Sequence, residues 1–165
     1  MSVYLAAGLS DADMTWLLSL GRIRRLGVGQ RLIATGRPID DLFFVLRGTL
    51  DVVRGDGALV ASVGEGEVLG EMSFIGEEVP SVSVLAAVHS EVLAAPRAAI
   101  LERFEIDAAL AARFYRALAV YLSSRLRETT AAANLPQPDT SNQESGMSAG
   151  SRLRRLLGAI TGQGA

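Results

Sequence analysis

The sequence predicts a mainly β domain, a barrel or sandwich of about eight short strands, with one helix before it and helices after it. Three observations predict this. Between Ile23 and Ala95, short runs rich in Val, Leu, Ile and Phe are punctuated by Gly27, Gly29, Gly36, Gly48, Gly55, Gly57, Gly64, Gly66, Gly70 and Gly76. Ahead of that run, Ser10 to Leu20 opens as a helix would. Beyond it, from Pro96 on, the apolar period changes from that of a strand to that of a helix.

Each element has a local reason. Ser10 is followed three residues later by Asp13, a capping-box-like start, and Trp16, Leu17 and Leu20 follow at helical spacing as core residues. Arg54-Gly55-Asp56-Gly57 separates LDVV from LVASV and reads as a hairpin turn, so the RGD triplet is a turn and not an adhesion motif. Pro96 suits a helix start, and Arg97 to Phe104 forms a short helical stretch. In the longest helix, Leu110, Phe114, Leu118, Tyr121, Leu122 and Leu126 fall on one stripe. The single histidine, His89, lies in a turn-like HSE and reads as a surface residue.

Composition excludes several classes of function. A net charge of −2 argues against a protein driven onto nucleic acid by phosphate neutralisation. The polar turn of the chain at Thr129 leaves no helix-turn-helix after the long helix, so no DNA partner is expected. With no Cys and one His, disulfides, thiolate metal sites and a cupin-type metal centre are not expected. No apolar run reaches membrane-spanning length, since Arg113, Arg116 and Arg125 interrupt the longest helix. The N-terminus lacks the pattern of a signal peptide, so a cytoplasmic protein is the expectation.

Three zones divide the chain. Residues 1–128 are dense in apolar residues and form the expected domain. Residues 129–150 are polar and hold the last two prolines, a composition expected to be a disordered linker. In residues 151–165, Leu153, Leu156, Leu157 and Ile160 make one stripe of a short basic tail helix beside Arg152, Arg154 and Arg155. Such a tail is too short to be stable alone and suits docking on a protein partner, on the domain itself or peripherally on an anionic membrane.

One segment, Gly70 to Val84 (GEMSFIGEEVPSVSV), carries the chemistry. A glycine and a carboxylate open it and two small hydroxyl residues stand near its end, an arrangement suited to a small polar ligand. It contains no Arg or Lys, and Glu77 and Glu78 sit in its middle.

The order of elements, together with VGQRLIATGRPIDDLFFVLRGTLDVV, GEGEVLGEMSFI and SVSVLAAVHSEVLAAPRAAI, resembles the cyclic nucleotide-binding domain over roughly Leu9 to Leu126. The resemblance implies a jelly-roll β-barrel with an N-terminal helix and C-terminal helices. It implies a non-enzymatic regulatory sensor without a cofactor, with cAMP or cGMP as ligand, and it allows a homodimer through the long helix. By resemblance, Gly70 and Glu71 open the phosphate-binding cassette, with Glu71 on the ribose hydroxyl, and Met72, Ser73 and Phe74 form the turn whose N–H groups face the phosphate. Ser81 and Ser83 fall on the small and hydroxyl positions that close it. Counting from either end places Pro80 where the family has its phosphate arginine. The other reading keeps Pro80 on the family proline and deletes the arginine. In both the arginine is missing, and Arg37, Arg47 and Arg54 are candidate substitutes. A different anion, such as a cyclic dinucleotide, suits a pocket without that arginine. The alternative is a ligand-free interaction and assembly domain on the same fold.

Overall fold

In the computed structural model, which describes residues 8–134, helix α1 (Asp11–Leu20) leads into strands β1 (Arg22–Leu26), β2 (Arg31–Ile33), β3 (Asp41–Arg47), β4 (Thr49–Val53), β5 (Leu59–Gly64) and β6 (Val68–Leu69). The short helix α2 (Glu71–Gly76) follows, then β7 (Ser83–Ala86), β8 (Ser90–Pro96), α3 (Arg97–Ile106) and α4 (Ala108–Asn134). The capping box is present: Ser10 Oγ accepts from the Asp13 N–H, and Asp13 accepts from the Ser10 N–H. In the predicted hairpin, Asp56 accepts from Ala58 N–H and Gly57 N–H donates to Arg54 C=O.

The strands form two antiparallel sheets, in the orders β1-β8-β3-β6 and β2-β7-β4-β5. This is the jelly roll that the sequence led us to expect, with two hydrophobic layers. Leu26, Phe43, Val45, Leu69, Val92 and Ala94 of the first sheet meet Leu32, Ile33, Leu50, Val63, Val84 and Ala86 of the second. The other face of the first sheet, with Leu42, Phe44, Val68, Leu93 and Ala95, packs against Leu17 of α1, Ile100 and Phe104 of α3, and Leu110, Phe114 and Leu118 of α4. Successive strand residues point to opposite faces, so a strand covered on both sides must be apolar throughout. Leu42, Phe43, Phe44 and Val45 are such a run, each 3% exposed or less.

The turn from β3 to β4 needs its glycine. Gly48 has φ +88°, and a Cβ there would sit 2.7 Å from the His89 carbonyl oxygen. Asp107 closes α3 and opens α4, its carboxylate accepting from the Leu110 N–H at 2.9 Å.

The chain divides after Leu122. In the part that follows, side chains bond along the helix: Arg127 donates to Ser123 and Ser124, and Thr129 and Thr130 donate to the carbonyls of Arg125 and Leu126. The helix runs on to Asn134, six residues into the stretch that composition assigned to a linker. Three consecutive alanines after Thr130, the best helix formers, favour this continuation. Leu126, the last residue of the expected apolar stripe, is 68% exposed. The rest of the expected linker, and the tail at 151–165, lie outside the described residues.

Candidate functional site

Strand β6 delivers the chain to Gly70, the predicted start of the cassette. Gly70 is left-handed, with φ +86°, and its carbonyl accepts the first helical bond of α2, from Phe74 N–H at 2.9 Å. A Cβ on Gly70 would lie 2.8 Å from Ile39 Cδ1 and 3.3 Å from the Asp41 carbonyl oxygen. Glycine is thus required by torsion and by space, ligand or not. The N–H groups of Met72 and Ser73 precede that first bond, as in the opening turn of any helix, whereas Phe74 N–H is committed to Gly70. Glu71 and Ser73 are half-buried and Met72 is exposed.

The helix ends at Glu77, itself left-handed, whose N–H donates to Ser73 C=O. Glu77 accepts a 2.7 Å hydrogen bond from Arg97 at the start of α3. Of the two carboxylates in the middle of the segment, Glu77 is therefore countered from α3. The Arg97 Nε is buried without a hydrogen-bond partner among the described residues.

The second half of the segment is held by the turn between β2 and β3. Gly36 N–H donates to Pro80 C=O at 2.8 Å. Ser83, at the start of β7, accepts from Thr35 N–H at 3.1 Å, and its hydroxyl lies 3.0 Å from Thr35 Oγ1. Pro80 and Ser83 are half-buried and Ser81 is exposed. Gly70, Glu71, Met72, Ser73, Pro80, Ser81 and Ser83 thus lie on one continuous strand–helix–strand segment anchored at both ends.

Of the three candidate substitute arginines, Arg37 is on the turn bonded to Pro80. Arg47 ends β3 and is paired in register with Glu91, and Arg54 forms an ion pair with Asp56 at 3.2 Å inside its own hairpin.

Helix α4 grips the segment on both sides of Gly70. Phe74 packs against Phe114 and Tyr115, with ring centroids 5.6 and 6.3 Å apart, and Phe104 completes the cluster. On the other side, the Tyr121 hydroxyl accepts from Val68 N–H at 3.2 Å and donates to Val68 C=O at 3.0 Å. Strand β6 is the edge of its sheet, so the phenol satisfies backbone groups that a further strand would otherwise take. Replacing Tyr121 by Phe leaves both buried groups unpaired and is expected to lower unfolding free energy by about 1–3 kcal/mol. Denaturant unfolding at unchanged m checks this; a loss below about 0.5 kcal/mol would contradict it.

These contacts were not anticipated from the sequence. The Tyr121 stripe read as core because a phenol at helical spacing looks like any apolar residue, and the acceptor is backbone. The Thr35–Ser83 and Arg97–Glu77 pairs join positions far apart in the chain, which no periodicity reports. Among the described residues no group of His, Asp and Glu could hold a metal, and no helix is long and apolar enough to cross a membrane.

The geometry agrees with the comparisons. Residues 23–107, from β1 through α3, match the family model of the cyclic nucleotide-binding domain. The catabolite activator protein of Thermus thermophilus has a similar structure, with a TM-score of 0.66 and 27% identity, over 79% of this chain and 62% of that one. A cyclic nucleotide-binding domain from Methylobacillus flagellatus shares the fold with a TM-score of 0.70 at 24% identity, over 82% of this chain and 78% of that one. Among curated proteins, Glutaminase 2 of Bradyrhizobium diazoefficiens is 30% identical over 79% of this chain. The chain spans only 21% of that relative's length. With the strand order and the family match in agreement, this chain belongs to the cyclic nucleotide-binding domain family.

Proposed function

We propose that the chain is a non-enzymatic regulatory module that binds an anionic cyclic nucleotide, cAMP or cGMP, against the segment Gly70–Val84 and passes the event to its C-terminal helix. The observation that carries this is the grip of α4 on both flanks of Gly70, through Val68 and through Phe74. A ligand that displaces the cassette must disturb those contacts, so it biases the position of α4 by its differential affinity for the two arrangements. In this reading Glu71 takes the ribose hydroxyl, Met72 and Ser73 offer backbone N–H groups to the phosphate, and Ser81 and Ser83 close the site.

The match to part of a glutaminase accords with a regulatory role, because it leaves most of that protein outside the similar region. A protein partner, reached through the end of α4 and the chain beyond it, would receive the output. Homodimerisation through α4, a cytoplasmic location and peripheral membrane contact by the tail belong to the same proposal.

A second reading is favoured by one feature. By resemblance the segment lacks the phosphate-binding arginine, whether Pro80 replaces it or the arginine is deleted beside Pro80, and a pocket without a cation suits a ligand-free assembly domain. Restoring the arginine separates the two. Pro80→Arg is expected to raise affinity for a cyclic nucleotide by about one to two powers of ten, the value of one charge-assisted hydrogen bond to a desolvated anion. Displacement of a fluorescent cyclic nucleotide would measure this. If neither the native chain nor the variant binds, the assembly reading stands and the sensor reading falls.

A further inference from the structure

We infer that Arg37 supplies to the cassette the cation that Pro80 displaces, so that the phosphate of a cyclic mononucleotide is held from the β2–β3 turn and not from the cassette itself. This rests on the nucleotide-binding reading above.

The turn Ala34–Arg37 is built against the place where the cation is missing. Gly36 N–H donates to Pro80 C=O at 2.8 Å, and Thr35 is bonded to Ser83 through its N–H and through its hydroxyl. The turn is thereby tied to both Pro80 and Ser83. Arg37 follows Gly36 directly, so its Cα lies about 3.8 Å from that of the residue touching Pro80. A guanidinium on a long flexible stem starts there with no backbone movement needed.

The turn is also rigid. Arg37 N–H donates to Ala34 C=O at 3.2 Å, Gly36 has φ +72°, and Pro38 restricts Arg37 to extended backbone. The arginine is thus presented from a fixed base.

Its charge is uncommitted. Arg22, Arg25, Arg54, Arg97, Arg103 and Arg113 each form an ion pair, with Asp41, Glu91, Asp56, Glu77, Asp107 and Asp13. Arg24 lies over the Phe43 ring. Arg31, opposite Leu85 on β2, and Arg47, opposite Glu91, are on strands and not on this turn. Arg37 is exposed and makes no ion pair or side-chain hydrogen bond among the described residues. A guanidinium offers two parallel donors to a phosphate, which a lysine or a hydroxyl does not.

Calorimetric titration of the full chain with cAMP and with cGMP tests this, using wild type, Arg37→Ala, Arg37→Lys, Arg54→Ala, Pro80→Arg and the double variant Arg37→Ala/Pro80→Arg. Arg37→Ala is expected to weaken binding by about 10- to 100-fold, Arg37→Lys by less, and Arg54→Ala not at all. The double variant is expected to recover affinity, because the cation returns to the cassette. Arg37 is exposed, so unchanged thermal unfolding of the variants is expected alongside. If wild type binds and Arg37→Ala binds equally well, the inference is overturned while the nucleotide reading stands. If wild type is silent and Pro80→Arg alone binds, the pocket is right and Arg37 does not serve it. If both are silent, the nucleotide reading falls and this inference with it.

Discussion

Phe74→Ala is expected to lower the unfolding free energy by about 3–4 kcal/mol, the usual cost of emptying a phenylalanine site in a packed core. Phe74 is 3% exposed although it belongs to a helix of six residues, Glu71–Gly76. So short a helix has little stability of its own. Its position depends on the ring that enters the cluster of Phe104, Phe114 and Tyr115. Removing the ring leaves a cavity between the cassette and α4, and the cassette loses one of its two grips on that helix. Phe74→Leu, which keeps most of the volume, is expected to cost about half as much or less. Urea unfolding of both variants provides the measurement. A cost below about 1 kcal/mol for the alanine variant would mean that α2 does not depend on α4, and the coupling described above would fail.

Asp13→Asn is expected to cost about 2–3 kcal/mol at neutral pH. Removing one partner of a buried ion pair costs about 3–5 kcal/mol, and the figure is reduced here because the Arg113 side chain is 41% exposed. Arg113 contacts both carboxylate oxygens of Asp13 at 2.8 Å, joining α1 to α4 across 100 residues of sequence. Asparagine keeps an acceptor for the Ser10 N–H, so the cap is retained and the loss reports the ion pair. The Arg113 hydrogen bond, helped by the bonds to Ser10 and opposed by burial, holds the Asp13 carboxyl well below its ordinary value of 3.8. A depressed native value means that the unfolded chain takes up this proton first as pH falls. The stabilisation is complete above the ordinary carboxylate range and disappears as pH drops below about 4. The difference in stability between wild type and Asp13→Asn should therefore be constant from about pH 5 to neutrality and shrink below about pH 4. A difference that persists undiminished into acid would show that the carboxylate charge is not what binds Arg113.

Much of the fold is legible in the chain because its causes are local. Ser10 and Asp13 announce α1, the glycines and the RGDG hairpin mark the strands, and Pro96 marks the passage into α3. The double-sided burial of Leu42–Val45 is written as an unbroken apolar run. The order of these elements, more than any one of them, indicates the jelly roll. The extension of α4 to Asn134 was obscured by polar residues in the stretch from Thr129, whose helical preference comes from its alanines.

The segment Gly70–Val84 was legible as a stretch of chain, but its surroundings were not. Gly70 could be read because its conformation excludes other residues. The partners of the segment could not: Thr35, Arg97 and Tyr121 reach it from the β2–β3 turn, α3 and α4, and their contacts follow from topology. Glu77 illustrates the difference. In sequence it adds like charge beside a phosphate position, whereas in the fold it is turned to Arg97.

The central claim is that this domain binds an anionic cyclic nucleotide without an arginine in its cassette. Calorimetric titration of the unmodified chain with cAMP and with cGMP tests it most directly. Saturable one-site heat with at least one of the two nucleotides is the predicted result, weakening as salt is raised because the held group is a phosphate. No heat from either nucleotide at about 100 μM protein, where even a weak complex with a Kd of tens of micromolar would form, would contradict it.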